Sequence, residues 1–220
     1  MTPNNINDGL SLDDCISISG NIGGHTYVDL GLKSGLKWAT YNVGASNPTE
    51  LGAYFAWGET MPKNDYDWKT YKWCLSRHNV QTKYCTSNKY GNKDNRTVLE
   101  KDDDAATVNW GREWRMPSIV ELTELSNSCN WEFIDHFGAS GVAGMLGVSK
   151  RNKKTIFLPA AGYRCLNHFG KVGEYTYIWS SSLDKQYPDG AYSLGLAEYV
   201  KDLRGDYRMY GQNVRAVVCN

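Results

Sequence analysis

The chain has 220 residues, enough for one sizeable β-rich domain with its own core. Its 24 basic and 24 acidic residues cancel without segregating, which excludes the basic patch of a general nucleic-acid or anionic-membrane binder. Fifteen Tyr, eight Trp and 22 Gly suggest many short strands and long ordered loops rather than a helical bundle, and no apolar run reaches the roughly 18 residues that span a bilayer.

Residues 1–22 lack periodicity and are rich in Asn, Asp and Ser, which suits a flexible arm or a short pairing strand. The start, MTPNNINDGLSLDD, has neither the basic residues nor the apolar core of a secretory signal, so export would need another route or a leader no longer on the chain. A single domain is expected over 23–220, opening at the turn Gly23-Gly24-His25 before the strand TYVDLGL. Trp38 follows as a buried aromatic. Asp65 to Tyr90 is polar and aromatic without alternation and reads as a long ordered loop, with Trp68, Tyr71 and Trp73 as its pins. The six cysteines form no CxxC pair. Cys74 and Cys85 fit either a loop-closing disulfide or buried free thiols.

Two helices are expected, over 99–110 and 118–128. In the first, Asp102, Asp103 and Asp104 read as a solvated first turn that complements the helix dipole, and Gly111 stops it. In the second, Ser118 and Glu121 make an S-x-x-E capping box after Pro117, and Ile119, Leu122 and Leu125 recur at helical spacing. Strands then follow at Trp131–Phe137 and Gly141–Val148, a hairpin turn at Arg151–Lys154, and TIFLPAAGYR, where Pro159 marks a strand end, edge or bulge. The last strands are GEYTYIWSSS, AYSLGLAEYV and NVRAVV.

Catalytic signatures are missing. There is no G-x-S-x-G, HExxH, P-loop or Rossmann fingerprint, and the four histidines sit in unrelated segments, so no catalytic residue, cofactor or metal is expected. Oxygen ligands at Gln186–Asp189 are too few to define a calcium loop. Arg208 and Arg215 suit either a carboxylate clamp or hydrogen bonds to loop carbonyls. The stretch from Gly173 to Val217 interleaves an apolar scaffold with tyrosines and short polar residues. The polar positions fall on alternate strand residues and in three segments read as loops (183–189, 201–207 and 209–212), so they can share one face. Stiff, amphipathic Tyr with short polar neighbours is the composition of a recognition surface. The expected ligand contacts are Tyr175, Tyr177, Asp184, Tyr187, Asp189, Ser193, Tyr199, Asp206, Tyr207, Tyr210 and Gln212. Loss of Tyr177 and Tyr207 together is expected to abolish binding with little effect on stability.

The segments VDLGLKSGLKWATYNVGA, YFAWGET, DDAATVNWGREWRMPS, FLPAAGYR, WSSS and YGQNVRAV together resemble the Fibrobacter succinogenes major-paralogous-domain family of Bacteroides-like bacteria, from Tyr27 to Val217. Asn213 stands where that family usually has Ser, and Leu196 where it has Phe. The resemblance implies an α+β, C-type lectin-like fold near the formylglycine-generating-enzyme variant, with a small twisted antiparallel sheet, two helices and long ordered loops. The calcium-dependent sugar-binding motif and the formylglycine-generating cysteine arrangement are both missing, so no activity comes with the fold. Some lectin-like proteins of this group are variable proteins of diversity-generating retroelements, and the Tyr-rich C-terminal placement resembles such a region. The expected function is therefore non-enzymatic binding of a protein or glycan on another cell or surface. Such an adhesin or receptor-binding protein would lie at a cell surface or on a phage tail. An assembly module of a fimbria-like structure is the alternative.

Overall fold

A computed structural model describes residues 15–218; residues 1–14 of the expected arm and Cys219 lie outside them. The described residues are mostly antiparallel sheet with two α-helices, a small α+β fold. In chain order the elements are β1 (Gly20–Ile22), β2 (His25–Asp29), β3 (Lys37–Ala39), α1 (Ala105–Trp110), β4 (Trp114–Arg115) and α2 (Ile119–Ser128). They continue with β5 (Cys129–Phe137), β6 (Val142–Ser149), β7 (Thr155–Pro159), β8 (Tyr163–Cys165) and β9 (His168–Gly170). The last four are β10 (Thr176–Leu183), β11 (Gly190–Ala197), β12 (Val200–Tyr207) and β13 (Val217–Val218).

One sheet has the order β1-β2-β3-β13-β4, so the C-terminal strand is inserted between two strands from the first half of the chain. β5-β6-β7 and β10-β11-β12 are three-stranded sheets, and β8-β9 is a hairpin. Gly23 and Gly24 turn β1 into β2 with φ of 59° and 90°, as the tight turn requires. Of the expected arm, Gly20–Ile22 forms a short pairing strand. Ile16 is buried beside Phe137 and Phe157, and Ser17 hydrogen-bonds Thr155, so the domain begins before residue 23.

α2 has the expected capping box. Ser118 Oγ accepts from the Glu121 amide, and the Glu121 carboxylate accepts from the Ser118 amide. Leu122 and Leu125 pack this helix onto Trp38, Ile156, Ile178, Leu194 and Val217, joining three sheets in one core. A second core centres on Trp57, Trp114, Trp179 and Tyr84.

The first expected helix is shorter than its sequence suggests. A 3₁₀ turn over Lys101–Asp103 is separated from α1 by Asp104, whose backbone is extended and whose side chain caps the Thr107 amide. Of the aspartate run only Asp102 is solvated, whereas Asp103 and Asp104 are buried. Asp103 is buried and bonded to Lys83, Lys72 and the Tyr84 hydroxyl, while Asp104 also accepts from the Met116 amide. Gly111, at φ 98°, ends α1 as expected. TIFLPAAGYR is two strands, because Gly162 (φ 61°) turns the chain between β7 and β8. Residues 201–207, read as a loop, are strand β12, paired with β11 from Gly190↔Tyr207 to Ala197↔Val200. Cys74 and Cys85 are buried and unbridged, each directing its thiol to a nearby carbonyl. No described helix is long and apolar enough to cross a membrane.

The capping box makes α2 acid-sensitive. Burial alone would raise the Glu121 carboxyl, but Arg115, which grips both its oxygens, and the Ser118 amide outweigh it and hold the pKa below the ordinary value. A carboxyl depressed in the folded state stabilises above its unfolded pKa of about 4.3, and the contribution disappears as pH falls through the folded value. Ser118→Ala should therefore lower unfolding free energy by about 1 kcal/mol at neutral pH. Glu121→Gln should flatten the fall of stability below about pH 4, both read by urea denaturation.

Candidate functional site

The far end of the β11–β12 ladder, where Gly190 meets Tyr207, opens into a groove of about 560 Å³. Its lining comprises His78, Tyr90, Asp184, Tyr187, Asp189, Gly190, Arg204, Gly205, Asp206, Tyr207 and Tyr210. Six of the eleven expected contacts converge here: Asp184, Tyr187, Asp189, Asp206, Tyr207 and Tyr210.

The wall from the long loop is held by Arg208, which is fully buried. Its Nε donates to the Tyr71 hydroxyl at 2.8 Å, Nη1 to the carbonyls of Tyr84 (3.1 Å) and Pro188 (2.9 Å), and Nη2 to the Lys83 carbonyl (3.0 Å). Its guanidinium also lies 4.9 Å from the Trp57 ring centre and 5.2 Å from that of Tyr71. No carboxylate is needed, because carbonyl lone pairs and aromatic faces together solvate the charge. Tyr71 and Trp73 pin the loop further by donating to the carbonyls of Trp57 and Gly58. Arg215 plays the corresponding part in the core, donating to Asn42 and to the carbonyls of Ala39 and Phe157.

The floor is Asp206. Its Oδ2 accepts from Ser193 Oγ (2.7 Å) and Gln212 Nε2 (2.8 Å), and its Oδ1 from Arg204 Nε (3.0 Å) and Nη2 (2.8 Å). Ser193 and Gln212 are therefore not ligand contacts. Both are buried and spend their donors on a carboxylate that would be costly to leave unpaired. Asp184 closes the rim, its Oδ1 accepting from the amides of Gln186 and Tyr187. Gly205 has no side chain because a Cβ there would come within 2.5 Å of Asp184 Oδ2. Asp189 Oδ2 lies 3.1 Å from His78 Nδ1.

The carbonyls of Tyr187, Pro188 and Asp189 already accept from Gly190, Arg208 and the Arg208 amide. Among the described residues no group of three or more His, Cys, Asp or Glu side chains is placed to hold a metal ion.

An aromatic belt runs out of the groove. Ring centres of Trp68 and Tyr207, Tyr207 and Tyr210, and Tyr210 and Tyr163 are 5.8, 5.8 and 5.5 Å apart. Tyr163, Tyr177 and Tyr175 continue it at 5.9 and 5.5 Å. Tyr175 is half-buried, whereas Tyr177 is only 5% exposed. Tyr177 lies over its cross-strand partner Gly195, with the Arg204 guanidinium above it. Its place is structural, which corrects the expectation that it could be removed without loss of stability. Withdrawal from water raises the phenols of Tyr177, Tyr210 and Tyr90, and the negative charge of Asp189 adds to the rise at Tyr90. All three remain hydroxyl donors at neutral pH.

Tyr199 does not join the groove. It is 90% exposed in the turn between β11 and β12, at the opposite end of an eight-pair ladder, about 24 Å away at ~3.4 Å per residue. The contributions of His78, Tyr90 and Arg204 were missed. The first two belong to a loop without periodicity, and Arg204 belongs to a strand read as a loop.

Exposure separates the groove residues by role. Tyr177→Ala should cost about 3–5 kcal/mol of unfolding free energy, as truncation of a buried ring does, while Tyr187→Ala, 52% exposed, should stay within about 0.5 kcal/mol. Arg208→Met should cost at least about 3 kcal/mol by leaving three carbonyls and a hydroxyl without their donor, and should increase proteolysis within residues 65–90. No family model, curated protein or solved structure matches the chain.

Proposed function

We propose that the chain is a non-enzymatic ligand-binding protein and that the groove at the Gly190–Tyr207 end is its contact surface. The observation that carries this reading is the distribution of the tyrosines. Tyr90, Tyr187, Tyr207 and Tyr210 surround one concavity of about 560 Å³, a size typical of recognition pockets. Tyr187 and Tyr207 leave about half their surface exposed, at 52% and 48%, although burying them would be favourable. The groove's polar atoms are mostly spent on holding its shape, which suits recognition better than turnover.

On this reading the fold is C-type lectin-like. Two helices, antiparallel sheet and a long loop without regular structure support this reading, being what the family resemblance implies. The protein would act as an adhesin or receptor-binding module on a cell surface or phage particle, with a partner on another cell or surface. Diversification by a retroelement would act on solvent-facing side chains such as Tyr187 and Tyr207. Asp206, Ser193, Gln212 and Tyr177 would stay fixed, because the groove depends on them.

The test is a binding screen of the purified chain against arrayed glycans and cell-surface proteins, followed by the double variant Tyr187→Ala/Tyr207→Ala. The expected result is loss of at least ~100-fold in affinity, as two aromatic anchors would give, with Tm changed by only a few degrees. Retained affinity in the folded double variant would overturn the assignment.

A further inference from the structure

The lining charges of the groove do not balance. Arg204 donates Nε and Nη2 to Asp206 Oδ1, and Asp206 Oδ2 is occupied by Ser193 and Gln212, so the charge of Asp206 is matched and both its oxygens are taken. Asp184 and Asp189 remain, and the only other lining group able to carry positive charge is His78. Asp189 is 6% exposed, yet no hydrogen bond from any described residue reaches its Oδ1. Arg208 lies behind the same loop, but its donors are spent on Tyr71, Lys83, Tyr84 and Pro188 and none reaches the groove.

A carboxylate with an open oxygen, enclosed by phenol rings, is built for an organic cation. A guanidinium or alkylammonium can meet the carboxylate with its N–H groups and lay its carbon chain or plane on the rings. A metal ion is not the better occupant, since no described cluster supplies three converging ligands. The aromatic surface also extends beyond the groove, through Tyr207 to Trp68 and His78, giving more contact area than one sugar ring covers.

We infer that the groove takes a lysine or arginine side chain from a protein partner, with Asp189 as its counter-charge and Tyr90, Tyr187 and Tyr207 as its walls. This rests on the reading of the groove as the ligand face. It adds the chemical class of the ligand and makes Asp189 the residue that sets charge specificity.

The experiment follows backbone amide shifts of the ¹⁵N-labelled full chain during titration with four probes. These are end-blocked hexa-arginine, hexalysine, hexaglutamine and a glucosamine hexamer. Cationic peptides should shift the amides of Asp189, Gly190, Gly205 and Tyr207, and raised salt should weaken the effect. Asp189→Asn keeps an acceptor for His78 but removes the charge, and should weaken peptide binding about tenfold without moving Tm. Shifts that map elsewhere, equal binding of hexaglutamine or the glucosamine hexamer, or full affinity in the Asp189→Asn variant would each overturn the inference. A ligand from the screen that needs Tyr187 and Tyr207 but ignores Asp189 would overturn it while leaving the binding function intact. A ligand indifferent to those tyrosines would remove both.

Discussion

The buried guanidinium of Arg208 is the constraint from which the binding end of this molecule follows. A charge with no carboxylate beside it must be solvated by something, and here the solvent is protein: three carbonyls, one hydroxyl and aromatic faces. Those groups come from residues 71, 83, 84 and 188, which are otherwise free of regular structure. Satisfying one side chain therefore fixes the relative position of two irregular segments. The groove between them is a by-product of that demand, and its shape does not depend on the side chains that protrude into it.

A second tier of the same logic lies under the groove. Asp206 is held by four donors from three residues, and Tyr177 is wedged between a cross-strand glycine and an arginine. Above these, Tyr187 and Tyr207 leave about half their surface in water. The architecture separates residues that carry stability from residues that can carry specificity, often between neighbours in sequence. Asp206 and Tyr207 are adjacent in the chain and opposite in role.

This adjacency explains what the sequence could and could not disclose. Capping chemistry is local, so Ser118 and Glu121 announced α2 correctly, and Gly111 announced the end of α1. Six residues expected from the Tyr-rich C-terminal stretch meet at one groove. Composition does not say which way a side chain faces, however. Ser193, Gln212 and Tyr177 have the right types for a contact surface but are buried, Tyr177 against its cross-strand partner Gly195 and the other two on the Asp206 carboxylate. His78 and Tyr90 were invisible for another reason. They reach the groove through a loop that Arg208, more than a hundred residues away, helps to anchor. Asp103 and Asp104 likewise looked solvent-directed, and their burial depends on Lys83 and Met116, which no local pattern connects to them.

The position of β13 has a consequence for how the chain reaches this state. Val217 pairs with Trp38 on one side and Arg115 on the other, so the middle of the first sheet is supplied by nearly the last described residues. On a ribosome, the N-terminal strands β1 to β3 must wait with an open edge until about 180 further residues have emerged. During synthesis that exposed edge is open to misassociation, and a chain that stops short of Val217 would leave it open permanently.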